Sequence, residues 1–248
     1  MSEDLVSLRI MLIGAARPDQ ELWRQAAALA PVVLDFAAHD PEAAPSALAK
    51  DGVDICIIDS VLADTSKMPV IEAARATRPV PLVFTSGPKG VTRLDGVDGH
   101  LGRPTELTSA RKLVEICVRA KLPTRVLVVD DSGTMRSIVR KVLAASPFNL
   151  KIHEAAEGIE ALNQLRAGNF GLVFVDYNMP GLNGFDMMMQ IKREMPNVAV
   201  VMISSTLEHG IPEKARSKGA LDFLKKPFYP ADINAVLERY YGMHVPFK

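Results

Sequence analysis

A short apolar run that ends at an aspartate constrains the fold more than any other feature of this 248-residue sequence. Residues 172–175, Leu-Val-Phe-Val, are typical of a strand that is buried on both faces, and Asp176 follows at once. Asn178, Pro180 and Gly181 then supply loop residues. Asp176 is therefore predicted at the carboxyl end of a parallel strand, which is the edge where open α/β sheets bind ligands.

Short apolar runs of this kind alternate with amphipathic helical segments throughout the chain. Five predicted strands occur in each half, and such alternation with short connections indicates right-handed βαβ units. We expect an α/β protein with two (βα)5 doubly wound parallel-sheet domains in tandem, residues 1–121 and 122–248, related by internal duplication. Glycines in residues 86–99 predict a loop or a frayed single turn in place of the fourth helix of the first half.

Composition and charge exclude several classes of protein. Lys+Arg and Asp+Glu both number 29, and neither half has the strong basic excess of a nucleic-acid-binding protein. Acidic residues near the N-terminus and Arg9 within the first apolar run argue against a signal peptide or a membrane-spanning helix. Cys56 and Cys117 fall in apolar segments, as buried free thiols do. We expect a cytoplasmic protein with no membrane or nucleic-acid partner.

Several polar side chains are predicted to meet at the carboxyl edge of the second sheet. They are Asp130, Asp131, Asp176, Ser204 and Lys226. Three carboxylates in one pocket repel one another, so the pattern implies a bound divalent cation, and ligands that are all oxygen atoms favour Mg²⁺. A nucleophilic carboxylate, a metal and nearby hydrogen-bond donors are what phosphoryl transfer requires.

With these residues in view, residues 124–242 resemble a receiver domain of bacterial two-component response regulators, closest to the single-domain chemotaxis type. Five separated motifs carry the resemblance: VVDDSGTMR, VDYNMPGLNG, MISS, KGALDF and KKPF. The resemblance implies a flavodoxin-like fold with strand order 2-1-3-4-5, the order for which that chemotaxis protein is the standard example.

The resemblance also implies roles for the residues of the predicted pocket. Asp176 is the expected phosphoacceptor, and Lys226 pairs with the phosphoryl group. Asp131 and the backbone carbonyl of Asn178 are expected to coordinate Mg²⁺ directly, and Asp130 largely through water.

Further expectations concern the conformational switch of the second half. The resemblance makes Ser204 the switch hydroxyl and Phe223 the aromatic residue that turns inward when Ser204 moves. It also implies a cis peptide bond to Pro227. Residues 210–219 depart from the family pattern, because glycine and proline stand where the fourth helix begins.

The first half reads as a degenerate copy of this receiver. Alignment of the two halves matches Asp59 with the phosphoacceptor, Thr85 with the switch hydroxyl and Arg103 with the lysine, whereas Gly14–Ala15 replaces the acidic pair. Without those ligands, acyl-phosphate chemistry at Asp59 should be slow or absent. Arg103 or Arg17 then neutralises Asp59, and the domain serves as a docking, dimerising or inhibitory module.

These features favour a response regulator, not an enzyme beyond its own phosphorylation and dephosphorylation. The phosphoryl group would come from a histidine kinase or phosphotransfer protein, and the output would be binding to another protein, with homodimerisation left open. A phosphate sink or relay is an alternative within the same class. A small-molecule phosphatase or nucleotide-binding enzyme fits less well, because Asn178 stands where such phosphatases have a second aspartate and no glycine-rich fingerprint follows a first strand. A purely structural scaffold would leave the acidic pocket vestigial.

Overall fold

The computed structural model describes residues 7–88, 90, 94–205 and 210–244. Its backbone contacts divide the chain into two compact units, Met1–Leu122 together with Tyr241–Lys248, and Pro123–Tyr240. The first division lies one residue from the predicted boundary at 121. The last residues, predicted as part of the second domain, group with the first unit because the His244 N–H donates to the His100 carbonyl and Met243 packs on Gly99.

The first unit is a five-stranded parallel sheet flanked by helices. Its elements are β1 (Ser7–Ile13), α1 (Arg17–Ala28), β2 (Val33–His39), α2 (Ala44–Lys50), β3 (Ile55–Asp59), α3 (Asp64–Ala76), β4 (Leu82–Gly87), β5 (Gly99–Gly102) and α4 (Leu107–Lys121). The described residues between β4 and β5 form no helix, in line with the predicted loop, although Lys89 and residues 91–93 lie outside the description.

The second unit repeats this plan with a helix after every strand. Its elements are β6 (Thr124–Val129), α5 (Gly133–Ala144), β7 (Leu150–Ala155), α6 (Gly158–Ala167), β8 (Leu172–Asp176), α7 (Gly184–Glu194), β9 (Ala199–Ser204), α8 (Ile211–Ser217), β10 (Asp222–Lys225) and α9 (Pro230–Tyr241). Helix α8 is seven residues long and begins after Gly210, whose φ of 91° lies in the left-handed region that glycine tolerates.

The strand order confirms the predicted fold class. The first sheet runs β2-β1-β3-β4-β5 and the second runs β10-β9-β8-β6-β7, so both have the expected order 2-1-3-4-5 when read from the edge carrying the second strand. All pairings between these strands are parallel. Both central strands, β3 and β8, are buried along their whole length, as the unbroken apolar runs of the sequence require. None of the described helices has the length and apolar character needed to span a bilayer.

Gly184 fixes the loop that follows β8. It is the first residue of α7, its N–H donates to the Tyr177 carbonyl at 3.1 Å, and a Cβ atom built on it would lie 2.1 Å from the Asp176 carbonyl oxygen. No side chain fits so close to backbone. Gly184 therefore allows α7 to begin directly against the end of β8.

We expect Gly184→Ala to lower the free energy of unfolding by about 2 kcal/mol, because the backbone must shift to accept the methyl group. Gly133→Ala is the matched control, since Gly133 also begins a helix and its added Cβ would meet only the Arg136 guanidinium at 3.5 Å. Urea unfolding followed by circular dichroism measures both, and hydrogen exchange locates the loss at β8. Equal costs for the two substitutions would contradict the steric explanation.

Candidate functional site

The carboxyl edge of the second sheet gathers the polar side chains that the sequence predicts there. β6 and β8 are adjacent and end at Val129 and Asp176, so Asp130 and Asp131 emerge beside Asp176. One carboxylate oxygen from each of the three aspartates lies within 4.8 Å of the other two. Asp130 and Asp176 are buried, with exposures of 2% and 6%, whereas Asp131 is exposed.

Lys226 bridges the two buried carboxylates. Its Nζ donates to Asp130 Oδ2 and to Asp176 Oδ1, both at 2.9 Å. The peptide bond from Lys226 to Pro227 is cis, as predicted. The Lys226 N–H also donates to the Ser204 carbonyl at 2.8 Å, so the end of β9 holds the backbone of the lysine in place.

Local hydrogen bonds orient the acidic residues. Asp130 Oδ1 accepts the N–H of Ser132 at 2.9 Å, and Ser132 in turn caps α5 by accepting the N–H of Met135. The Arg136 guanidinium donates to the Asp130 carbonyl at 2.7 Å. Arg136 is a residue that the sequence reasoning missed, although its position one turn into the helix after the acidic pair was a usable signal.

The electrostatics of the pocket oppose full ionisation of its acids. Burial raises the pKa of Asp176, the hydrogen bond from Lys226 opposes that rise, and the charges of Asp130 and Asp131 add to it. Burial alone would lower the pKa of Lys226, but its hydrogen bonds to Asp130 and Asp176 outweigh burial and raise that pKa. One ammonium group thus faces three carboxylates, and the pocket keeps an excess of negative charge.

The donor set of this pocket fits a hard divalent cation. All candidate side-chain ligands are carboxylate oxygens, and the exposed Asp131 leaves the site open to water, as Mg²⁺ requires. Asn178 lies two residues beyond Asp176 in the loop before α7. The arrangement can therefore hold a cation beside a carboxylate whose other side contacts an ammonium group.

Ser204 and Phe223 lie on the strands next to this pocket. Asp176 pairs with Ile203, and the Tyr177 N–H donates to the Ile203 carbonyl at 2.7 Å, which places the buried Ser204 one residue beyond the aspartate on β9. Phe223 lies on β10 opposite Met202 and belongs to the hydrophobic core.

The equivalent edge of the first sheet holds an ion-pair cluster. Asp59 ends β3 as predicted, and its Oδ1 accepts the Val61 N–H at 2.9 Å. Arg103 donates to Asp19 through Nε at 2.7 Å and contacts it through Nη2 at 2.6 Å, whereas Nη2 is 4.0 Å from Asp59 Oδ2. Sequence reasoning named Arg103 but missed Asp19, because nothing in the linear order links α1 to the end of β5.

Strand register corrects the proposed equivalence of Thr85 and Ser204. Asp59 pairs with Ser86, whereas Asp176 pairs with Ile203, so Gly87 stands at the position of Ser204. Thr85 lies two residues before Gly87, and its hydroxyl contacts His100 instead. A Cβ atom at Gly87 would lie 1.8 Å from the Ser60 hydroxyl oxygen, so a side chain at this position would require Ser60 to turn away.

A buried histidine occupies the position of Phe223 in the first sheet. His100 pairs with Thr85 just as Phe223 pairs with Met202. Its Nδ1 lies 2.9 Å from Thr85 Oγ1 and its Nε2 lies 2.9 Å from the Pro88 carbonyl oxygen. Burial lowers the pKa of His100, and the hydrogen bond to Pro88 opposes that change.

The fold and the acidic pocket define the class of protein, a doubly wound α/β protein with a carboxylate and lysine site. The family model described as the response regulator receiver domain matches residues 126–238. Chemotaxis protein CheY-3 of Vibrio cholerae is 34% identical over 117 residues, which span 46% of this chain and 89% of CheY-3. The chain belongs to the response regulator receiver family.

Two further comparisons extend this result. The cyclic di-GMP phosphodiesterase response regulator RpfG of Xanthomonas campestris is 28% identical over 138 residues, 54% of this chain, which spans only 36% of RpfG. The solved structure of a probable two-component system response regulator/GGDEF domain protein has a TM-score of 0.56 at 24% identity, covering 94% of this chain and 97% of that one. This similarity shows that the two proteins share a fold over nearly the whole chain. These relatives are signalling proteins of two-component systems.

We expect Mg²⁺, the cation predicted from the sequence, to raise the melting temperature by relieving repulsion among the carboxylates. At tenfold excess over its dissociation constant, the ion would add about 1.4 kcal/mol of stability. Asp131→Asn should weaken this response, because it removes an exposed ligand without disturbing the core. Asp59→Asn, the same change at the other sheet, should leave it intact. Thermal unfolding across a Mg²⁺ series tests this, and an equal response in all three proteins would refute the site.

Proposed function

We propose that the chain is a response regulator that accepts a phosphoryl group on Asp176 from a histidine kinase or a histidine phosphotransfer protein. The observation that carries the proposal is the contact of Lys226 with Asp176 beside two further carboxylates. Membership of the receiver family supports it. The signal would then pass to another protein by binding, and the only reactions of the chain would be its own phosphorylation and dephosphorylation.

Phosphoryl transfer begins with the Asp176 carboxylate as the nucleophile. A carboxylate oxygen attacks phosphorus, the phosphorus–nitrogen bond of a phosphohistidine breaks, and the histidine leaves with the bonding electron pair and takes up a proton. Lys226 Nζ, already 2.9 Å from Asp176 Oδ1, donates to an oxygen of the transferred group. Asp130, Asp131, Asp176 and the Asn178 carbonyl would hold Mg²⁺, which neutralises charge on the phosphoryl oxygens when bound.

The response to phosphorylation would start at Ser204 and Phe223. The position of Ser204 one residue beyond Asp176 supports movement of its hydroxyl toward a phosphoryl group, which would open space for the Phe223 ring. The Phe223 N–H donates to Asp222 Oδ1 at 2.8 Å. Asp222 also pairs with Arg216 of α8 and Arg239 of α9. A change at Phe223 would therefore reach both helices that flank β10, and we assign the output surface to them.

The first unit would be a degenerate receiver without phosphoryl chemistry. Gly14, at the position of Asp130, has a φ of 73°, which strains any other side chain, and a Cβ atom there would lie 2.4 Å from Leu62 Cδ1, so an acidic residue would fit only with backbone strain and movement of Leu62. The cavity beside Asp59 and Arg103 measures about 10 Å³, which is room for a single water molecule and not for a phosphoryl group. Asp59, Thr85 and Arg103 are therefore proposed to be inactive counterparts.

A cytoplasmic location is consistent with the two cysteines. Cys56 and Cys117 are both free and buried, and burial raises the pKa of Cys56 to about 12. Thiols held in this neutral state suit a reducing compartment. We therefore propose that the chain works in the cytoplasm, where histidine phosphodonors act.

Acetyl phosphate with Mg²⁺ tests the assignment, with intact mass as the measurement. The wild-type protein and Asp59→Asn should each gain one phosphoryl group, whereas Asp176→Asn should gain none, because only the second sheet places a carboxylate against a lysine and a metal site. Peptide mapping after hydroxylamine treatment should locate the acyl phosphate at Asp176.

Three outcomes would overturn the proposal. A phosphoryl group lost only in Asp59→Asn would place the chemistry in the first unit. Two groups on the wild-type protein would show that both units react. No adduct on any form, with a phosphohistidine protein also supplied as donor, would leave the acidic pocket without this function.

A further inference from the structure

Asp130 and Asp131 follow one another directly after β6, but the protein holds them in different ways. The Asp130 carboxylate accepts the Ser132 N–H at Oδ1 and Lys226 Nζ at Oδ2, both at 2.9 Å. The Asp131 side chain is exposed, and none of the residues that the structure describes forms a hydrogen bond or an ion pair with its carboxylate. The position of the Asp131 carboxylate therefore depends on the backbone that carries it.

Arg136 of α5 holds that backbone. Its Nη1 donates to the Asp130 carbonyl oxygen at 2.7 Å, which is a short hydrogen bond from a charged donor. This carbonyl belongs to the planar peptide group that joins Asp130 to Asp131, so a donor at the oxygen fixes the plane from which Asp131 emerges. The Arg136 side chain is only 20% exposed, which limits the freedom of its guanidinium.

Glu154 holds the other side of the Arg136 guanidinium. Arg136 Nε lies 3.3 Å from Glu154 Oε2, near the carboxyl end of β7. The backbone of Glu154 is itself held, because Gln164 of α6 donates to its carbonyl at 3.0 Å. Arg136 thus connects the edge strand to the peptide before Asp131 through two different nitrogens. A planar guanidinium makes two such contacts in fixed geometry, whereas a lysine ammonium does not.

We propose that Arg136 is a positioning residue for the cation site, because it fixes the peptide before Asp131 and so aims the Asp131 carboxylate at the pocket shared with Asp176. The inference rests on the proposed function, in which these carboxylates hold Mg²⁺. Among the described residues, the hydrogen bonds of the Arg136 side chain go to the Asp130 carbonyl and to Glu154 alone. Its effect on the cation must therefore pass through the backbone.

Charge and position predict opposite effects of removing the guanidinium. Arg136 is a cation close to the carboxylates of the pocket, so on charge alone its removal would strengthen the binding of a second cation. If Arg136 positions Asp131, its removal frees the exposed carboxylate to move in solvent, and that freedom must be lost again when the ion binds. The sign of the change in the dissociation constant therefore separates the two roles.

Substitution of Arg136 in the full, unphosphorylated chain tests the inference. Electron paramagnetic resonance of Mn²⁺, which takes the same oxygen ligands as Mg²⁺, counts the free ion, and displacement by Mg²⁺ gives the Mg²⁺ dissociation constant. We expect Arg136→Gln to raise that constant about tenfold, as the loss of a group that orients a metal ligand does. Arg136→Lys keeps the charge but not both contacts, so its constant should lie between those of Arg136→Gln and the wild type.

Arg140→Gln is the matched control. Arg140 lies one turn further along α5 and pairs with the same glutamate, since its Nε lies 3.1 Å from Glu154 Oε1. Its side chain is 54% exposed, and no hydrogen bond joins it to the acidic pair within the described part of the chain. Arg140→Gln should therefore leave the Mg²⁺ dissociation constant within about twofold of the wild type.

The rate of phosphorylation by acetyl phosphate gives a second readout. Arg136→Gln should react more slowly than the wild type at low Mg²⁺ and equally fast at saturating Mg²⁺, because positioning matters to the rate only while the cation site is partly filled. Recovery at saturating Mg²⁺ would also show that the variant is folded. A direct contact of Arg136 with the phosphoryl group would instead leave a deficit at every Mg²⁺ concentration.

Several results would overturn the inference. They are a dissociation constant for Arg136→Gln equal to or below that of the wild type, an equal loss of affinity in Arg140→Gln, a rate deficit that persists at saturating Mg²⁺, and a wild-type protein that binds no Mn²⁺. Failure of the proposed function gives a different result. Ion binding that responds to Arg136 as expected, in a chain that neither acetyl phosphate nor a phosphohistidine protein phosphorylates, would support the positioning role and refute phosphorylation at Asp176.

Discussion

The contact of one half-buried lysine with two buried carboxylates is the interaction on which the second unit depends. Parallel strands place their carboxyl ends at one edge, and the side chains of Asp130, Asp176 and Lys226 are withdrawn from solvent there. Burial penalises each charge, and the lysine offsets that penalty for only part of the acidic set. A pocket with uncompensated negative charge repels a phosphoryl donor until a cation is bound. Under the proposed function, the same charge imbalance would make phosphorylation depend on a metal.

At the equivalent edge of the first sheet, an arginine side chain lies near the acidic groups. Asp59 stands at the equivalent strand end, but the acidic pair is absent and the guanidinium of Arg103 lies between Asp19 and Asp59. A guanidinium cannot be deprotonated, and the cavity beside it measures only about 10 Å³. The two sheets thus have the same strand order but carry different polar side chains at their carboxyl edges. The apolar strands stabilise each sheet, so the residues at its edge can be exchanged.

Sequence reasoning predicted those features that depend on local pattern. Buried strands are recognisable as apolar runs, so the fold class and the convergence of Asp130, Asp176 and Lys226 follow from residue order alone. Long-range partners do not, because Asp19 reaches Arg103 across 84 residues and no periodicity links them. The predicted equivalence of Thr85 and Ser204 was wrong for a related reason. The strand register is the same in both halves, Asp59 with Ser86 and Asp176 with Ile203, so the equivalent of Ser204 is Gly87, two positions beyond Thr85. Only the pairing of the strands, and not residue order, shows this displacement.

The corrected equivalence between the two halves suggests why the first unit should hold one conformation. In the second unit, the Phe223 ring has no polar atom and is held by packing in the hydrophobic core, so under the proposed switch a phosphoryl group that draws Ser204 away would release it. The equivalent His100 is held at both ring nitrogens. Because the Pro88 carbonyl can only accept, Nε2 carries the proton, and Nδ1 of the neutral ring then accepts from the Thr85 hydroxyl. Turning this ring would break both hydrogen bonds, one of them fully buried, and Gly87 has no hydroxyl group that could replace them. These contacts favour our proposal that the first unit is a fixed module and that the second unit switches.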